Sequence, residues 1–170
     1  MIRTLSDPDI NDIDRSILQN IEQFTWHVSR VDAVGNRPGW AFTIGLFAKF
    51  QHPEIVLFGL PEADLGLALN DIGCEVRDGR RFDADEECSG IIENNTCIFK
   101  PVHPVVMGYA HWFYEGEDFP VLQCHWQNED RSFPWDGNYD SRQHVAQPLL
   151  FHDEVIPARA VEFLASLNEG

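Results

Sequence analysis

Apolar positions recur along this chain with two different periods, and the switches between them mark out its elements. Ile10, Ile13, Ile17 and Ile21 fall at helical spacing, with Leu18 and Phe24 widening the stripe, which predicts an amphipathic helix over about 8–24. Asp12 and Asp14 sit near the start of that helix, where its dipole favours negative charge. Trp26 to Val34 and Trp40 to Phe47 are rich in strand formers and flank the turn residues GNRPG, so they predict a hairpin. The nearly continuous apolar run EIVLFGL (54–60) predicts a central strand buried on both faces.

Pro61 next opens a helix with Glu62 and Asp64 in its first turn and Leu65, Ala68, Leu69, Ile72 and Val76 on one face. The charged, glycine-bounded segment DGRRFDADEECSG (78–90) is expected to be an exposed loop with room for one short strand, its DADEE run simply solvated. TCIFKPV (96–102) predicts a further strand, while VVMGYAHWFYEG (105–116) fits a short helix or an extended piece equally well. From Phe119 to Gln127 the pattern alternates: Leu122, Cys124 and Trp126 fall on a core face, and Val121, Gln123, His125 and Gln127 on a face expected to form a polar wall. A closing helix is expected over about 157–168, with Val161, Leu164 and Ala165 inward. Without internal repeats or a linker, the whole chain of 1–170 is expected to be one α+β domain. Its sheet should be mostly antiparallel, or a partly closed barrel, with flanking helices.

Composition narrows the function. The 170 residues are 44% hydrophobic, enough for one sizeable core. Twenty-eight acidic residues against 12 Lys and Arg give a net charge of −16. Such a field repels phosphate-rich partners, so neither nucleic acid nor an anionic membrane is an expected partner, whereas a basic protein is. Cys74, Cys88, Cys97 and Cys124 form no CxxC pair, which fits neither a zinc ribbon nor a secreted disulfide scaffold. The first residues lack the apolar core of a signal peptide and no apolar run reaches about 20 residues, so a cytoplasmic location is expected.

The residues best suited to chemistry gather late in the chain. Trp112, Tyr114, Gln123, His125, Trp126, Asp130, Trp135 and Asp136 are the candidate ligand-binding set. Large aromatics beside amides, a histidine and carboxylates require specific partners if they are buried. His125 is the candidate general base, with a hydrogen-bonded structural histidine as the plainer alternative. The aromatic group of Trp112, Phe113, Tyr114, Trp126 and Trp135 could stack on a planar ligand such as a flavin, or simply fill core. His103, His111 and His125 could converge with Asp130, but their spacing matches no metal-ligand motif, so no metal is expected and no cofactor is assigned. Nor is there a GxSxG elbow, a Walker loop or a GxGxxG fingerprint. Cys124 and His125 are strand neighbours pointing to opposite faces, so they form no dyad, and Cys124 is expected in the core. Gly45, beside Thr43, is expected to mark packing against a helix, and Glu54, which follows a proline, to pair with an arginine or cap backbone groups.

AFTIGLF (41–47), HPEIVLFGL (52–60) and the later series Gln123, Trp126, Asp130, FPWD (133–136) and QPLL (147–150) together resemble the bacterial family named domain of unknown function 4262. The likeness spans about residues 22–150 and leaves the N- and C-terminal helices as additions. It implies a shared core and supplies neither substrate nor catalytic residue. Two functions remain. One is a non-catalytic, immunity-like binding module whose acidic surface captures a basic protein. The other is a small-molecule or flavin-type binding protein or enzyme with its pocket around 119–135.

Overall fold

The computed structural model describes residues 1–140, 142–143, 146–151 and 165. Its framework is one six-stranded mixed sheet, which runs β1 (His27–Val31), β2 (Trp40–Ile44), β3 (Glu54–Phe58), β6 (Val121–Trp126), β5 (Thr96–Val102) and β4 (Glu87–Ser89) in spatial order. All neighbours pair antiparallel except β3 and β6, which are parallel. The α+β class holds. The sheet does not close, so the barrel alternative falls away and β1 and β4 are its two edges.

Helices cover both faces. α1 (Asp12–Phe24) starts at a reciprocal cap: Asn11 Oδ1 accepts from the Ile13 and Asp14 N–H groups at 2.8 and 3.0 Å, and Asp14 Oδ2 accepts from Asn11 N–H at 3.0 Å. It ends where Thr25 turns left-handed, at φ 77°. Ile17, Leu18 and Ile21 are buried, but Ile13 is 57% and Phe24 55% exposed, so the buried stripe is narrower than the sequence spacing suggested. α2 (Leu46–Phe50) replaces the end of the expected strand 40–47, because Gly45 at φ +114° breaks the extended chain. A Cβ there would lie 3.1 Å from Thr25 O and 3.5 Å from Ile21 Cγ2, the close approach to a helix that was expected.

α3 (Glu62–Arg77) lays Leu65, Ala68, Leu69, Ile72 and Val76 on Ile55, Leu57, Leu122 and Cys124, forming the core of one face. The other core joins α1, Phe42, Val56, Phe58 and Val121 to α4 (Gly108–Phe113). The segment whose conformation the pattern left open is thus helical, entered by a 3-10 turn over Pro104–Val106. The expected C-terminal helix lies, apart from Ala165, outside the described residues.

Candidate functional site

The alternation read in β6 is present, but its second face is no solvated wall. Leu122 and Cys124 pack under α3 with Trp126 beside them, whereas Gln123 and His125 point the other way and are wholly buried. The cause is the chain after the strand, which folds back over this face. Gln123 Nε2 donates to Pro148 O at 2.6 Å, and its Oε1 accepts from Leu150 N–H at 3.3 Å. On its β3 side the parallel register covers only Val121 to Cys124, which leaves Trp126 beyond the ladder. Gln147 fills that gap: its Oε1 accepts from Trp126 N–H at 3.0 Å and its Nε2 donates to Trp126 O at 2.9 Å. A side-chain amide offers the same donor and acceptor pair as a peptide unit, so Gln147 stands in for one residue of a strand. Asn95 does the same for Gln127, at 2.8 Å in both directions.

Amide-rich composition around this turn therefore has a structural use. Trp126 Nε1 donates to Phe58 O at 2.8 Å, and Asp136 Oδ2 accepts from Phe133 N–H at 2.8 Å, closing the FPWD turn. Asp130 lies exposed in the preceding turn. Trp135 stacks on Phe133 with centroids 4.9 Å apart and meets the His125 ring edge-on at 5.1 Å, while Phe151 meets it at 5.7 Å. Lys100 lies over the Trp135 and Phe151 rings and pairs with Asp85. Neither nitrogen of His125 has a hydrogen-bond partner among the described residues. Burial, and then the Lys100 charge, push its pKa down to about 3, so the ring is neutral at pH 7 and a poor match for a general base of that pH.

Trp112 and Tyr114 engage other partners. Arg3 lies over the Trp112 ring, and Tyr114 donates its O–H to Glu54. Glu54 is fully buried and caps the start of α2: Oε1 accepts from the Gly45 and Phe47 N–H groups at 2.8 and 3.1 Å, and Oε2 from Thr43 Oγ1 at 2.6 Å. This is the backbone-capping role expected of it. Burial raises its pKa, while these donors act in the opposite sense. Tyr114 also accepts from Ala48 N–H at 3.2 Å, and burial and the neighbouring Glu54 push its pKa far up. Every oxygen of this network is occupied within the protein, which makes it a strut between β2, β3 and α4.

The structure thus brings together His125 and Trp135, with Gln123 on the same face of β6, and sets Trp126 on the opposite face and Trp112, Tyr114 and Asp130 elsewhere. Gln147, Lys100, Phe133 and Phe151 were not among the sequence candidates as site residues. Gln147 left one signal, its place in the QPLL stretch (147–150) among the motifs that carried the family resemblance. No group of three or more potential metal ligands occurs among the described residues. Nor is any helix among them long and apolar enough to cross a membrane.

Exposed carboxylates are spread over the described surface, and several stand at the β4 edge. Asp83, Asp85, Glu87 and Glu93 are exposed there, and Cys88 between them is buried opposite Cys97. The loop is held by hydrogen bonds from Asp83 N–H to Glu86 Oε2 at 3.1 Å and from Asp85 N–H to Phe99 O at 2.8 Å.

Against known proteins, the family model described as domain of unknown function (DUF4262) matches residues 20–140. No curated protein and no solved structure matches the chain.

Proposed function

This chain belongs to the DUF4262 family, and we propose that it serves there as a non-catalytic, immunity-like binding module that captures a basic protein partner in the bacterial cytoplasm. One observation carries the reading: β4 is a sheet edge whose flanks expose Asp83, Asp85, Glu87 and Glu93. A strand edge invites pairing by backbone hydrogen bonds. Carboxylates along it repel a second copy of the same edge and favour a segment bearing Lys and Arg. Of the candidate ligand-binding side chains, Gln123 has both polar atoms engaged within the protein and Asp136 accepts from Phe133 N–H through Oδ2, which supports recognition over reaction.

The test is to isolate the protein gently from its host and measure the affinity of any co-purifying protein at two salt concentrations, with Asp83→Lys and Glu87→Lys as variants. Expected are a basic partner, weaker association at higher salt and weaker binding by both variants. An affinity indifferent to salt and to both substitutions defeats the reading. A second reading has its own observation, the buried His125 beside Trp135, the two His125 nitrogens having no partner among the described residues. It assigns a small molecule, of flavin type or otherwise, to the 119–135 region. A retained mass of a few hundred daltons that is lost on His125→Phe would favour it.

A further inference from the structure

The sheet's other edge is unlike β4. Beside β1, between the end of α1 and the outer side of α3, an open groove of about 840 Å³ runs along the surface. Small-molecule sites fall in the range of roughly 300–1,000 Å³. Its walls are partly apolar: Phe24 and Leu67, two of the most exposed large apolar side chains among the described residues at 55% and 63%, stand on opposite sides. Trp26 lies between them, largely buried, with its Nε1 donating to Asn70 Oδ1 at 3.1 Å. Gly73 makes room for that ring, since a Cβ there would come within 2.4 Å of Trp26 Cε2. Gly66 lies where a Cβ would meet only the Arg30 guanidinium, at 3.7 Å, so the helix is open at the groove without any core neighbour requiring it.

Charge distinguishes this surface. The chain has 28 acidic side chains to 12 Lys and Arg, yet the groove lining contains Arg30 and Arg77 and no carboxylate. Both arginines have acidic neighbours outside the lining, Arg30 with Glu62 at 3.6 Å and Arg77 with Asp78 at 3.2 Å. Those pairs are solvated on both sides and hold their partners weakly, so an arriving anion can displace them. His27 points to the same field: burial, and then the charge of Arg30, lower its pKa to about 4. With Asn20 Nδ2 donating to His27 Nδ1 at 3.0 Å, the ring keeps its proton on Nε2 and adds a neutral donor.

We propose that this groove binds a small organic anion with an apolar body, the body lying between Phe24 and Leu67 and the anionic head held by Arg30. Paired nitrogens of a guanidinium suit a carboxylate or phosphate head. The site is separate from the β4 surface and does not depend on it.

Calorimetry on the full chain with 2-naphthoate, and with 2-naphthamide as its neutral counterpart, tests this. Expected is saturable binding of the naphthoate, about tenfold tighter than the amide. Arg30→Gln should bring the naphthoate toward the affinity of the amide, whereas Arg77→Gln, at the far end of α3, should leave the preference for the acid in place. Glu62→Gln, which releases Arg30 from its surface pair, should tighten binding. Leu67→Glu, at an exposed helical position where folding is secure, should abolish it. Saturating naphthoate should also slow alkylation of Cys74, a thiol in the lining. Absence of saturable naphthoate binding, equal affinity for acid and amide, or unchanged affinity in the Arg30→Gln variant would overturn the proposal.

Discussion

At one edge of the sheet β4 exposes Glu87 between acidic neighbours, while at the other β1 borders a groove lined by two arginines and no carboxylate. The net charge of −16 describes neither place. A global charge governs long-range attraction, whereas recognition at short range depends on which few groups face a cavity or a free strand. The two edges are equally terminal in the hydrogen-bond ladder and opposite in what they can receive. On the two proposals, β4 would receive a cationic segment on open backbone and β1 an anion between side chains.

The largest effect should come from a change that disturbs both edges at once. Glu54→Ala removes the acceptor shared by Thr43, Tyr114 and two backbone N–H groups in the centre of the fold. Urea denaturation should show a loss of about 3–5 kcal/mol, because several buried donors are left unmatched.

Acid should act on both sides through one histidine each, His27 at the groove and His125 within β6, next to β5. Both have folded pKa values below the ordinary 6.5, at about 4 and about 3. Below pH 6.5 the unfolded chain takes up protons that the folded one refuses, so the stability each ring contributes is whole above pH 6.5 and lost as pH falls toward the folded value. For His125 the slope approaches about 1.4 kcal/mol per pH unit. His125→Gln should therefore flatten the stability profile between pH 6 and 4 relative to the parent protein. His27→Gln should flatten it too, with its share exhausted nearer pH 4. Parallel profiles for parent and variants would refute the assignment.

Gly73→Ala confines the damage to the groove. A glycine-to-alanine change inside a helix ordinarily stabilises by about 1 kcal/mol. Here the new methyl group meets the Trp26 ring, and a net loss of about 2 kcal/mol is expected, along with weaker naphthoate binding. Smallest for stability is Glu87→Lys, within about 0.5 kcal/mol, since the position is exposed. That variant should alter partner binding alone, which separates the function of the β4 edge from its folding.

Local periodicity made much of this fold legible. The β6 alternation, the buried β3 run and the inner stripe of α3 follow from side-chain spacing, and all three are present. What spacing could not convey was what covers each face. Gln123 and His125 had the pattern of solvated residues because nothing local announces that residues 146–151 return to bury them. Phe24 belonged by spacing to the buried stripe of α1, yet it sits in the last turn, beyond the reach of the core, and overlooks the groove. The groove itself joins the continuous stretch from α1 into β1 to α3, with β2, α2 and β3 between them in sequence. Its one local trace is the second stripe of α3, Ala63, Gly66, Asn70, Cys74 and Arg77, which is helical in spacing, modest in size and free of acids.

The parallel contact between β3 and β6 also has an entropic cost that the outer ladders lack. Both flanking ladders on the outer sides, β1 with β2 and β4 with β5, join strands close in sequence. The pairing of Glu54–Leu57 with Val121–Cys124 must instead enclose α3, the acidic loop, β4, β5 and α4. Closing so long a loop costs entropy that is recovered only when the two halves dock. The central seam between β3 and β6 therefore carries a larger loop-closure cost than either outer hairpin.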